Sequence, residues 1–255
     1  MIVKSKHPDV VNDVYDYFNK NIYTINNFSV EQIWFSNAIE NDVYKYCSEN
    51  TSDAQGATSV TNDECPKLVI ILQDNLNKYD LIKVLIHEMV HAYDFTEYFE
   101  IYHNGIPGHY ITDKLGFAFT LYTEFHAQYL DELRAYFYLD DKHNSKNFIS
   151  FFYSSYTDSL NTFVNTLSYN SNNTPIEIRT VFVLLAKLFV WDKLTKQPTP
   201  VTSCIYSYVP QILGESIPKN WIYKVYGLLW DSFNNHHGIK NLSRLNTILE
   251  DMDFK

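Results

Sequence analysis

The sequence predicts an α+β protein: a small sheet and one long helix early in the chain, followed by a mainly helical half. Three observations carry this. A short run of Leu, Val and Ile at 67–73, bounded by Pro66 and Asp74, reads as a buried or edge strand. It leads into a long apolar run at 79–99 that reads as a helix buried on most faces. From 117 onward, apolar residues recur mostly at helical spacing.

Taken in order, His7-Pro8-Asp9 marks a helix start, and Val10, Val11, Val14, Tyr17 and Phe18 repeat at helical spacing behind it. Residues 22–39 mix alternating and β-branched residues, which predicts one or two strands. The stretch 49–64 is polar, with Ser52, Asp53, Gly56, Ser59, Asn62 and Asp63, and reads as a loop. After the long helix, Asn104, Gly105, Pro107, Gly108 and Gly116 predict a loop over 101–116. A second long helix is expected over 117–138, with Leu121, Phe125, Tyr129, Leu133 and Tyr136 as its buried stripe. Further helices are expected over 147–167, 176–194 and 218–233, separated by polar or Pro/Thr breaks.

Composition sets limits. The chain has 255 residues, enough for one large domain or two modest ones, and 21 Tyr with 17 Phe supply a sizeable core. Only 7 Gly and 8 Pro argue against long flexible linkers. A net charge of −10 argues against nucleic acid and against an anionic membrane surface as partners. The N-terminal residues 1–14 hold no apolar stretch that suits a signal peptide, and 181–191, interrupted by Lys187, is too short to span a bilayer. The expectation is therefore cytoplasmic by default, with export lacking a cleaved signal peptide left open. Cys47, Cys65 and Cys204 fit no zinc-ribbon or redox spacing and read as free thiols, a Cys47–Cys65 disulfide being the alternative.

The chemistry lies at His87-Glu88-Met89-Val90-His91, inside the first long helix. Histidines four apart leave the same helix face, and that spacing suits two nitrogen ligands on one tetrahedral zinc. Glu88 adjoins the first histidine, where it can take a proton from an activated water. The bland reading is two core histidines and a solvated glutamate. A helix this apolar has little room for three such groups without partners.

Two histidines are not enough, because a catalytic zinc takes three protein ligands and keeps one position for water. Glu124 is the first candidate, on the second helix within Tyr122-Thr123-Glu124-Phe125-His126-Ala127, where a carboxylate flanked by apolar residues needs a partner. His109, in a Pro-Gly-His loop, is the second; exposure is the bland reading for it and for His103. His126 is two residues from Glu124 and should point elsewhere. Asp94 either orients a ligand histidine or sits at the solvent edge. The extended HExxHxxGxxH pattern fails, with Asp94 in place of the glycine and Glu97 in place of the third histidine. His236 and His237 are adjacent, so their side chains diverge.

The segments His87-Glu88-Met89-Val90-His91-Ala92-Tyr93-Asp94 and Thr123-Glu124-Phe125-His126-Ala127 together resemble the zinc peptidases of the mitochondrial intermembrane space that process and help assemble an ATP synthase subunit. In that family HExxHAYD is followed by a Thr-Glu-x-x-Ala segment. The resemblance implies a zincin-like, gluzincin-type fold, zinc on His87, His91 and Glu124, and Glu88 as catalytic base. The spacing from His91 to Glu124 is longer than in the family, and the family's many cysteines are missing. The resemblance therefore carries the site architecture and leaves substrate and compartment open. His-Glu-Met-x-His-Ala-Tyr is also similar to the SprT-type proteases, which would make His109 the third ligand; the acidic charge counts against that reading. The expected division is a catalytic domain over 1–143 and a helical subdomain over 144–255.

Three classes of function follow: a zinc endopeptidase acting on protein or peptide substrates, a zinc hydrolase of small peptides such as an aminopeptidase, and a non-catalytic binding protein on the same fold. Glu97, Glu100 and Asp113 are the acidic residues available to anchor a free amine in the second. An intact Glu88 argues against the third. The strand at 67–73 is either a core strand or one to which a peptide substrate can add.

Overall fold

A computed structural model describes residues 2–4, 7–22, 30–49, 54–109, 113–140, 179, 182–183, 185–187, 189–190, 219–234 and 238–251. The chain divides into two compact units, Met1–Tyr110 and Ile111–Lys255. The fold class is α+β, as the sequence predicts.

The first unit runs β1 (Ile2–Lys4), α1 (Pro8–Asn21), β2 (Val30–Ser36), α2 (Ile39–Cys47), β3 (Gly56–Val60), β4 (Leu68–Gln73) and α3 (Lys78–Tyr102). The strands form one mixed sheet in the order β1-β2-β4-β3. β1, β2 and β4 are parallel, and β3 runs antiparallel to β4. Pro8 opens α1, where its fixed φ and missing N–H cost nothing. Val11, Val14 and Phe18 then face the core. In α2, Ile39, Val43 and Cys47 repeat every four residues and bury against Val69 and Ile71 of β4. α3 starts at Asn77, whose side chain accepts a hydrogen bond from the Asp80 N–H.

β4 is buried from Leu68 to Leu72 because helices cover both its faces. Ile71 and Val69 turn toward α2, and α3 packs on β4 from the other side. With β2 on one flank and β3 on the other, β4 is a core strand with no edge to offer. The edge on this side of the sheet belongs to β3, which lies inside the stretch expected to be a loop. Gly-Ala-Thr-Ser-Val has little intrinsic strand preference, and pairing with β4 decides its conformation. The helix preceding the 101–116 loop runs to Tyr102, and the breakers that end it are Asn104 (φ 52°) and Gly105 (φ 74°). Cys47 is buried and Cys65 exposed, both as free thiols, so they form no disulfide.

The second unit contains α4 (Gly116–Asp140), α5 (Lys219–Asn234), a short 3-10 turn (Gly238–Asn241) and α6 (Leu242–Glu250). Leu121, Phe125, Tyr129 and Leu133 of α4 are buried, as their spacing predicts. Within this unit Phe189 meets Phe125 edge-on, with ring centroids 5.1 Å apart, and contacts Tyr226 and Trp230 at 4.7 and 5.4 Å. Arg179 and the described residues of 182–190 are helical. The expectations for 147–167, for the Pro/Thr break at 196–202 and for Cys204, Tyr110, His236 and His237 fall outside the described residues. Among the described residues, no helix is long and apolar enough to cross a membrane.

α4 belongs to the second unit, whereas the expected catalytic domain of 1–143 takes it in.

Candidate metal centre

α3 gathers the motif. Leu81, Ile82, Leu85, Ile86, Met89 and Val90 are all buried, so this helix is held on several sides and its polar residues cannot drift. His87 is half-buried and His91 buried. Their Nε2 atoms approach to 3.0 Å, with the rings edge to face at a centroid distance of 4.6 Å. Two imidazole nitrogens on one tetrahedral zinc, each about 2.0–2.1 Å from it, lie roughly 3.3 Å apart. The pair therefore fits zinc without rearrangement of the helix.

Glu88 is buried, which excludes the bland reading of a solvated glutamate. β3 lies against it. The Thr58 hydroxyl is 2.8 Å from Glu88 Oε2 and 2.8 Å from the Glu88 main-chain oxygen. A Cβ on Gly56 would stand 2.8 Å from both Glu88 Cγ and Oε1 and 2.6 Å from Val84 Cγ1. Sequence reasoning missed both residues, because the stretch around them reads as a polar loop. The available signal was their i, i+2 spacing, which puts two small residues on one strand face.

Asp94 is fully buried, which rules out the solvent-edge reading. Tyr93 donates to Glu97 Oε1 at 2.8 Å, and burial together with that bond pushes the Tyr93 phenol well above its usual range. This engages Glu97, one of the three acidic residues considered as amine anchors. Asp113 likewise accepts from the Leu115 N–H.

His109 is exposed, and its Nδ1 meets Glu49 Oε1 at 3.0 Å. Among the described residues it joins no ligand group with His87 and His91. His103 lies at the end of α3, its ring 5.0 Å from that of Tyr98.

In the second unit, Glu124 is half-buried on α4. Its Oε1 accepts a 2.6 Å hydrogen bond from Arg179 Nη2. Arg179 is a third residue that sequence reasoning missed, since a lone arginine distant in sequence gives no hint of its partner. Thr123, His126 and Ala127 around Glu124 are buried, so this turn of α4 faces inward.

Compared with protein-family models, curated proteins and solved structures, the chain has no match.

Proposed function

We propose that the chain is a zinc-dependent peptidase with a zincin-like fold, in which His87, His91 and Glu124 hold the metal and Glu88 is the general base. One observation carries the reading: two Nε2 atoms 3.0 Å apart on α3, with a buried carboxylate on the residue between them in the motif. The three residues would supply two imidazole nitrogens and one carboxylate oxygen, the donor set of a catalytic zinc. The ion pair with Arg179 supports the choice of Glu124, because it fixes Oε1. The bond from His109 to Glu49 favours Glu124 over His109 as third ligand.

A zinc ion held by His87, His91 and Glu124 would supply Lewis acidity toward the scissile carbonyl and the attacking water. Glu88 takes the proton of the attacking water and delivers it to the leaving amine nitrogen as the C–N bond breaks. Burial of Glu88 strengthens its electrostatic interactions, and the fixed donor from Thr58 replaces water around it.

The sheet supports a peptide substrate. Gln55 accepts a main-chain hydrogen bond from the Gln73 N–H, and the Thr61 N–H donates one to the Lys67 carbonyl. By alternation, Ala57 and Ser59 direct their main-chain groups to β4, while Gly56 and Thr58 direct theirs to the outer edge. An extended peptide can pair with that edge as a further strand, which brings its backbone close to Glu88. This favours an endopeptidase over a hydrolase that needs a free terminus. The test is hydrolysis of a peptide library by zinc-loaded protein, with and without chelator. Chelator-sensitive internal cleavage, lost in Glu88→Ala with zinc retained, is the expected result. Full turnover by Glu88→Ala would sink the assigned role.

A further inference from the structure

We infer that Thr58 is a positioning residue for Glu88, and that Gly56 keeps open the space the Glu88 carboxylate occupies. The inference rests on Glu88 being the base, and it concerns how the sheet edge controls that base.

A glutamate has three rotatable bonds, and a proton acceptor that wanders by an ångström loses most of its advantage. Glu88 is held from both directions by one strand. Gly56 and Thr58 are two apart on β3, so they share the strand face turned to α3. The Thr58 hydroxyl reaches Oε2 and the Glu88 carbonyl oxygen, each at 2.8 Å. It carries one hydrogen, so it serves one acceptor at a time, and the two acceptors together tie strand, helix backbone and carboxylate. Threonine is suited to this, because its β-branch restricts χ1 and fixes the hydroxyl's direction. Gly56 borders the other side. A Cβ there would lie 2.8 Å from Oε1, the oxygen that Thr58 does not touch. The result is a carboxylate with one oxygen tied to Thr58 and the other beside Gly56, where a larger residue would collide with it.

A purely structural alternative is that Thr58 only ties β3 to α3 through the Glu88 carbonyl. That bond does not involve the carboxylate, so the two roles separate experimentally. The comparison uses the full-length chain with Thr58→Val, which removes the hydroxyl at nearly constant volume, and Thr58→Ser, which restores it. Zinc content, kcat and KM are measured on a peptide that the wild type cleaves. Unfolding in urea of chelator-treated wild type, Thr58→Val, Glu88→Ala and the double variant gives the coupling of the two side chains without metal or substrate.

Thr58→Val is expected to keep its zinc and its KM and to lose about tenfold in kcat, the scale of one hydrogen bond to a charged group. Thr58→Ser is expected to recover most of it. The coupling should be about tenfold in the folding equilibrium constant. Wild-type kcat in an active Thr58→Val variant, or a cycle with no coupling, overturns this inference alone. A folded, zinc-supplied wild type that hydrolyses no peptide overturns the parent reading of Glu88, and the base role of this contact with it.

Discussion

β4 and β3 lie side by side in one sheet and divide its tasks between them. β4 is five consecutive buried aliphatic residues, paired on both flanks and covered on both faces. β3 is a short edge strand of small and polar residues, paired on one flank. The strand that is easiest to read touches the core, and the one that reads as a loop touches Glu88. Residues chosen for packing advertise themselves through hydrophobic pattern. Residues chosen to leave room for, or donate to, a neighbouring side chain do not.

The comparison predicts that substitutions in the two strands fail differently. The largest effect lies at the shared target: Glu88→Ala should lower turnover by roughly 10³-fold or more while zinc stays bound, as steady-state kinetics and metal analysis would show. In β4, Ile71→Ala removes a side chain packed against Ile39, Val43 and Cys47. It should cost about 2–5 kcal/mol in urea unfolding, with kcat per folded molecule unchanged. A matching loss of kcat would erase the division between the strands. In β3, Gly56→Ala should destabilise by about 1–3 kcal/mol through overpacking and also lower kcat, because its Cβ meets both Val84 and the Glu88 side chain. Unaltered kcat there would leave β3 a purely structural edge.

Smaller effects sharpen the picture. His109→Ala should change stability by less than about 0.5 kcal/mol, since it removes only an exposed pair with Glu49. Alkylation of the native protein should label Cys65 and spare Cys47. Cys47 is buried, and burial pushes its thiol pKa up, so little thiolate is available. Peptide mapping by mass spectrometry reads this out.

Much of the frame is legible in the sequence for identifiable reasons. The α1 start, β4, α3 and α4 each carry a long or strongly bounded apolar pattern, and the structure places them where that pattern does. The two histidines and Glu88 are legible because helical spacing converts directly into geometry. Asp94 was ambiguous, since periodicity alone does not say which helix face lies against a neighbour; the structure buries it. β3 was missed because edge pairing, not propensity, forms it. Thr58 and Arg179 were missed because each acts on a partner distant in sequence, Glu88 thirty residues on and Glu124 fifty-five residues back. Long-range contacts of this kind leave no periodic trace.

The most direct test of the account is the zinc content of folded protein, in the wild type and in His91→Ala, Glu124→Ala and His109→Ala. The account predicts about one zinc per chain in the wild type, as a catalytic site of this type holds. It predicts loss in the His91 and Glu124 variants and retention in the His109 variant. A folded wild type that takes up no zinc when zinc is supplied would contradict it, and loss in the His109 variant with retention in Glu124→Ala would replace the third ligand.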